Sequence, residues 1–433
     1  MKGKRFKYNP TLAIAIAMVL GIVAGLVGRA AMGEIKFVGD IFFSLVQMCM
    51  VPFVMGQIIG AVGSLTRRQL GSIGIKAIGL FFVTSLISAT FGVVVADVFK
   101  PGIISNSTQL VAEASGDYAA TAFSLQETLT SFFSTNIVGS MAQGAMVPCI
   151  MFSLFFGVAC STYRERNNGG CLIYDLVLEL NELLLIIIRA VMNIAPIGVF
   201  AYVSASVGTL GMHVLLSVSK FIIVLFCAAL VFCALWYVVV ALWCRLPIGK
   251  LFRKTIPMCV MAAATISSAM TLPVEMEDTK RKIGLRRDIC DLILPLGVPL
   301  NSNGKAMQLA ITAMFVAQLY GMEFTGGALV HCAVICWLLS FANAAAPGGT
   351  LISLTMLFPA LGLPLDAIAI VGGLEYITAG IGTPPNVISD VFCGMLVGKG
   401  EKNGIDRDIF FGRKQYEEDP AEATAPAPVS PEA

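Results

Sequence analysis

Long apolar runs separated by short charged loops organise the chain. Six runs cover about 11–32, 37–63, 74–98, 126–160, 174–208 and 212–244. Each offers the ~20 residues that an α-helix needs to cross ~30 Å of hydrocarbon. After residue 245 the pattern changes. The apolar segments 256–273, 289–320, 327–363 and 367–398 are interrupted at Thr265–Thr271, Gly297–Gly304, Ala345–Gly349 and Gly382–Asn386. Non-helical backbone at membrane depth is tolerated only where protein buries it or where it lines an aqueous cavity. The four interruptions are therefore expected to converge near the bilayer midplane.

Lysine and arginine fix the direction of the runs. They cluster at Lys2, Lys4, Arg5 and Lys7, at Arg67, Arg68 and Lys76, at Arg164 and Arg166, at Arg245–Lys254, at Lys280–Arg287, and at Lys399 and Lys402. The alternate loops are poor in them: 100–125 holds only Lys100, and 205–215 holds none. This alternation works only if 245–288 enters and leaves on the cytoplasmic side and 327–363 enters and leaves from outside. Two opposed hairpins, each paired with a broken helix, are what an inverted repeat produces. The expected fold is an all-α integral membrane protein with eight transmembrane helices, two re-entrant helical hairpins and both termini cytoplasmic, in the cell membrane.

Composition agrees. Of 433 residues, 57% are hydrophobic and 13% charged, against roughly 25% charged in soluble domains. A net charge of +2 gives nucleic acid no footing. The twelve cysteines form no CxxC pair, and many sit in apolar stretches, as small buried hydrophobes do. His213 and His331 are too few and too far apart in the sequence to suggest a histidine metal site. The first apolar run is longer than a signal-peptide core, so it reads as a retained helix. The Pro/Ala-rich acidic tail from Glu417 reads as a disordered cytoplasmic segment.

Several motifs go further. They are Met50-Val-Pro-Phe53, Lys100-Pro-Gly102, Ala195-Pro-Ile-Gly-Val-Phe200, Ser267-Ser268 with Thr271-Leu-Pro273, Leu294-Pro-Leu-Gly297, Asn301-Ser-Asn-Gly304, Pro347-Gly348 and Gly362-Leu-Pro-Leu365. With them the chain resembles the dicarboxylate/amino acid:cation symporter family from about residue 12 to 400. The resemblance implies a homotrimer in the lipid bilayer with an elevator-type mechanism. Residues 1–73 and 99–208 would form a fixed scaffold. Residues 74–98 and 209–400 would form the moving transport domain, and 401–433 the tail. Sodium is the usual coupling ion, protons serve some members, and no organic cofactor is implied.

Asp390 is a carboxylate deep in the last apolar segment, where insertion costs ~2.5–3.5 kcal/mol, so it is a functional candidate. The resemblance makes it a sodium ligand together with Gly297, Asn301 and Asn386, the last at i−4 on the same helix face. A structural ion pair is the competing reading. A second family cation site maps onto Thr84, Ser85 and Asn303. Here Asn303 replaces an aspartate and Phe81 a tyrosine, so this site is expected to be weakened or lost. The solute pocket maps onto Ser267, Ser268, Lys305, Gly348, Ala379, Gly382 and Asn386. The family's ammonium-binding aspartate is Ala379 here. The arginine of acidic-substrate carriers is Gly382, or Ile266 where it sits on the first hairpin. A solute-contacting threonine is Lys305.

The expected function is therefore symport of a small carboxylate-bearing solute, a dicarboxylate or related organic anion, with cations. Three roles stand open for Lys305: solute contact, a salt bridge to Glu375, or an ammonium in place of a bound cation. Thr378 and Thr383 either satisfy loose carbonyls or contact solute. The alternatives are a neutral or polar amino-acid:cation symporter and, in a different class, a non-transporting sensor or an anion channel. A Ser–Lys enzyme dyad of Ser267 or Ser268 with Lys305 lacks any oxyanion arrangement, so no enzyme is expected.

Overall fold

The computed structural model describes residues 10–65, 72–103, 130, 132–167, 169–210, 212–341, 349–365, 367–372 and 374–416. Among these residues the regular structure is helical, apart from one antiparallel bridge between Leu285 and Ile405. Helices α1 (Pro10–Gly28), α2 (Lys36–Met48) and α3 (Met50–Gly63) come first. They are followed by α4 (Ser72–Phe99), α5 (Ile137–Ala142), α6 (Met146–Arg166), α7 (Leu172–Met192) and α8 (Ala195–Leu210). Next comes α9 (Met212–Cys244). The first hairpin is α10 (Ile248–Thr265) and α11 (Ser268–Asp278), continued by a π turn over Thr279–Ile283. The broken helix is α12 (Arg287–Leu300) and α13 (Asn303–Leu319). The second hairpin is α14 (Gly327–Ser340) and α15 (Gly349–Ala360). Helices α16 (Ala367–Gly372), α17 (Glu375–Lys399) and α18 (Arg407–Phe411) complete the order.

Among the described residues, three helices are long and apolar enough to cross a membrane by length and composition: Ser72–Phe99, Val147–Arg166 and Leu216–Cys244. The other expected spans are shorter or jointed. The expected fifth span, 174–208, is two helices. It breaks at Asn193–Ile194, before Pro196, which lacks an N–H and suits a helix's first turn. In the described part of the fourth, the short α5 is followed, after Gln143–Ala145, by α6 running on to Arg166. The expected tail falls on residues outside those described from 417 onward, as does the basic N-terminal cluster.

A second correction concerns the last helix. The sequence places an interruption at Gly382–Asn386, yet α17 runs unbroken through Pro384 and Pro385. Two missing N–H donors leave the carbonyls four residues earlier without their usual partners. Threonine hydroxyls bond back to carbonyls of earlier turns, not to those of Gly380 and Ile381 that the prolines leave. Thr383 donates to the Ala379 carbonyl at 2.7 Å, and Thr378 to those of Leu374 and Glu375, both at 3.2 Å. The interruption lies instead between Gly372 and Glu375, where α16 ends and α17 begins.

Helix α13 is the hub. Every residue from Asn303 to Leu319 is buried, as expected of a helix enclosed by others on all sides. Helices α4, α14, α17 and α9 pack around it. Gly92 of α4 lets that helix approach the Met307 carbonyl, where a Cβ would stand 2.8 Å away. Elsewhere α1 lies along α8, where Gly25 meets the Ser204 carbonyl, a small-residue contact of the kind that joins helices in lipid. Helix α3 packs against α6 and α7.

One buried side chain ties the hub to the end of α4. Gln318 donates to the Ala96 carbonyl at 2.9 Å and accepts from the Gly102 N–H at 3.0 Å. Gln318→Leu keeps the volume but leaves the buried Gly102 N–H unpaired, at ~1–3 kcal/mol, while the Ala96 carbonyl keeps the Lys100 N–H at 3.0 Å. Thermal unfolding of the purified protein in detergent is expected to shift to lower temperature. Gln318→Glu, which keeps the acceptor, is expected to lose less.

Candidate functional site

The break between α12 and α13 spans only Asn301 and Ser302. Such a break presents carbonyls at the end of one helix and N–H groups at the start of the next. The first favours a cation and the second an anion. Both ends face α17, which packs along α12 and α13.

At the carbonyl end, the Asn301 N–H donates to the Gly297 carbonyl at 2.7 Å. The Asn301 amide nitrogen donates to Asp390 Oδ1 at 2.7 Å and to Ser389 Oγ at 3.2 Å. Thr84 of α4 donates to Asn301 Oδ1 at 3.4 Å. Asp390 is fully buried, and its Oδ2 has no hydrogen-bond partner. A Cβ on residue 297 would fall on this carboxylate, so glycine is required there. The Asn386 carbonyl, one turn before Asp390, accepts the Ser389 hydroxyl at 2.8 Å. A carbonyl has a second lone pair, so Gly297 at the end of its helix keeps acceptor capacity, whereas the Asn386 carbonyl already takes the Ser389 hydroxyl beside the N–H of its own unbroken helix. A hard cation takes oxygen ligands of this kind, and the unpartnered Oδ2 is where its charge is needed. The residues present fit sodium.

The weaker candidate site is also assembled, with different chemistry. Ser85 donates to Asn303 Oδ1 at 2.7 Å, and Ser88 donates to the Asn303 carbonyl at 2.6 Å. The Asn303 amide nitrogen is buried without a partner. Two hydroxyl protons are already committed to its oxygens, and an N–H₂ group repels a cation. Phe81 is fully buried and brings no hydroxyl.

At the N–H end, Ser302 makes no side-chain cap. Asn386 reaches across from α17 instead. Its Oδ1 accepts the N–H groups of Gly304 at 2.7 Å and Lys305 at 3.3 Å. The Asn386 amide nitrogen then remains as the donor for a carboxylate. The helices come this close because Gly304 has no side chain; a Cβ there would fall on the Gly382 carbonyl. Gly382 in turn faces Gln308, whose Oε1 would stand 3.0 Å from a Cβ at 382.

Lys305 is buried, and its ammonium donates to the Thr350 hydroxyl of the second hairpin. The Thr350 N–H donates to Glu375 Oε1 at 3.0 Å. Thr350 thus bridges Lys305 and Glu375, joining the start of α13, the second hairpin and the start of α17. Glu375 lies in the first turn of α17, where negative charge is favoured. At the first hairpin, Ile266 takes a left-handed conformation at φ 54°, unusual for a β-branched residue. Ser267 then caps α11 by accepting the Met270 N–H at 3.3 Å, and Ser268 is buried beside it. This arm touches α17 where Gly380 meets Ala263, next to the half-buried Ala379. Gly348 lies outside the described residues.

The structure thus brings together Gly297, Asn301 and Asp390; Ser85 and Asn303, with Thr84 on Asn301; and Lys305 with Asn386. Sequence reasoning misses Ser389 and Gln308 at the site, and the buried Glu275 outside it. Ser389 precedes Asp390 directly. Gln308 and Glu275 each lie four residues beyond a recognised motif residue, Gly304 and Thr271. That spacing is their only signal.

The profile of the sodium:dicarboxylate symporter family matches residues 11–400. The proton/glutamate-aspartate symporter of Escherichia coli K12 is 29% identical over 414 residues, covering 92% of this chain and 94% of that protein. The proton/sodium-glutamate symport protein of Bacillus subtilis 168 is 26% identical over 407 residues, covering 92% and 94%. A C4-dicarboxylate transport protein of Anaeromyxobacter dehalogenans is 26% identical over 435 residues, covering 98% of each. The chain is a membrane transport protein and belongs to the sodium:dicarboxylate symporter family.

Proposed function

We propose that this protein is a secondary active symporter that moves a small dicarboxylate or related organic anion with sodium. The observation that carries the reading is the single break in α12–α13. Its carbonyl end meets the buried Asp390 carboxylate, and its N–H end carries Lys305. A cation and a carboxylate would bind at the two ends of one helix interruption. Asn386 links them, since its backbone faces one end and its side chain caps the other. Binding at one end stiffens the neighbour of the other, which is the condition for coupling.

The choice of solute follows from the charges. Ala379 offers no counter-charge for an α-amino group, while Lys305 adds an ammonium. Lys305 is held by Thr350, and a solute carboxylate would compete for that ammonium and loosen its tie to the second hairpin. Among the relatives, the protein named for C4-dicarboxylate transport fits this pocket better than those named for glutamate. Asn303, an amide engaged by Ser85, gives the second cation site no charge, so fewer sodium ions would be coupled. Residues 1–73 and 99–208 would act as the scaffold of a homotrimer in the cell membrane. Residues 74–98 and 209–400 would move as an elevator. The contacts of α1 with α8, of α3 with α6 and α7, and of α4 with α13 support that division.

The test is uptake of labelled succinate, aspartate and serine into proteoliposomes. Succinate is expected to accumulate under an inward sodium gradient. Preference for serine would transfer the reading to a neutral amino-acid carrier, and no accumulation across a wide panel would favour a sensor. Lys305→Thr is expected to weaken succinate affinity about tenfold or more, ~1.4 kcal/mol; unchanged affinity would remove Lys305 from the pocket. Asp390→Asn is expected to raise the sodium concentration for half-maximal uptake by about tenfold or more. Unchanged sodium dependence would make Asp390 a structural residue.

A further inference from the structure

Glu275 has no role in either binding site. It lies in the second arm of the first hairpin and is fully buried, and neither carboxylate oxygen has a hydrogen-bond partner. An ionised carboxylate in a dry interior with no donor and no counter-ion is among the costliest arrangements a protein can hold. Helices α10, α12 and α17 and the π turn pack against this arm. Cys259 of α10, Cys290 of α12 and Asp390 of α17 are among the titratable groups near Glu275. None is a cation. The nearby lysines are engaged elsewhere: Lys280 with Asp291, Lys282 with Asp278 at 2.6 Å, and Lys254 with the Lys282 carbonyl at 2.5 Å.

Glu275 is also not isolated. Thr271, Glu275, Asp278, Thr279 and Lys282 follow one another at helical spacing along one face. Thr271 sits by the hairpin tip, donating to the Ser267 carbonyl at 2.9 Å. Asp278 Oδ2 and Thr279 Oγ1 are buried without partners, like both oxygens of Glu275. Lys282 at the far end is 46% exposed. A polar stripe therefore runs from the tip to the surface on the side of the basic loop. The π turn over Thr279–Ile283, a feature often found at functional sites, occupies its outer end.

We propose that Glu275 is a proton-carrying group of the transport cycle, loaded as the neutral acid and discharged along the stripe of Asp278 and Thr279. The carboxylate takes up one proton, becomes a carboxylic acid, and returns the same proton when the hairpin's outer arm is hydrated. Transport would then be driven by a proton gradient as well as by sodium. The inference rests on the symport reading above, and its test separates the two.

Infrared spectroscopy of the full chain in detergent at neutral pH reads the acid directly. A protonated-carboxyl carbonyl band, shifted in D₂O, is expected in the wild type and missing in Glu275→Gln. Its absence from the wild type, or its persistence in the variant, overturns the proposal whether or not any solute is moved. In proteoliposomes, an inward proton gradient is expected to raise wild-type succinate accumulation about tenfold. Uptake by Glu275→Gln is expected not to respond to pH, and Glu275→Asp to recover part of the response. A wild-type pH response retained in Glu275→Gln overturns the proposal. If the wild type moves no solute, the symport reading fails and the infrared result alone decides Glu275.

Discussion

A helix broken in an interior without water leaves N–H and C=O groups that must be paired or used. The centre of this molecule is built on that constraint. The break at Asn301–Ser302 is closed partly by local chain, through the Asn301 N–H on Gly297, and partly by another helix, through the Asn386 side chain on Gly304 and Lys305. Each repair also makes a feature of the site. The Asn301 amide that closes the gap to α17 holds Asp390. The Asn386 amide that caps α13 ties the start of that helix to α17. The enclosure of α13 by α4, α9, α14 and α17 follows from the same need, since a broken helix facing lipid would leave these groups unsatisfied.

Charge is used sparingly in this core, and around the break the ionisable groups are placed by neighbours from different elements. Asp390 is oriented by Asn301, and Lys305 by Thr350. Glu375 receives the Thr350 N–H. Asn303, where a carboxylate would add a further buried negative charge, is a neutral amide engaged by Ser85. The ionic content of the core thus depends on the relative positions of both hairpins, α13 and α17. A movement of the second hairpin changes the surroundings of Lys305 without altering its own helix.

Much of the fold was legible in the apolar pattern. The limits of α4 and α9, the first hairpin with its turn and the break at Asn301 follow from run length and from the small residues that interrupt the runs; the interruption expected at Ala345–Gly349 falls largely outside the described residues. The break expected at Gly382–Asn386 was misread because two prolines dominate a local reading. In the folded chain the helix carries through both prolines from Glu375 to Lys399, and α12 and α13 pack along it. The fifth span was misread in the opposite way, since hydrophobicity continues across the joint at Asn193–Ile194. At the site, the i, i+4 pair Asn386–Asp390 was readable from spacing. Thr350 as the partner of Lys305 was not, because that contact joins positions 45 residues apart. Glu275 was lost to a boundary. Ending the hairpin at 273 put it in a loop, whereas the helix continues to Asp278.

The contact of Gly382 with Gln308 bears on how such a pocket changes over evolutionary time. In carriers of acidic amino acids that this chain resembles, an arginine occupies the position of Gly382. Here the first atom of any side chain at 382 meets the Gln308 amide oxygen at 3.0 Å, while the Gly382 carbonyl is pressed against Gly304. An arginine arriving alone would meet an amide already packed in its path. Positions 308 and 382 therefore share one space: a side chain gained at 382 has to displace the Gln308 amide, so the size tolerated at one position depends on the residue at the other.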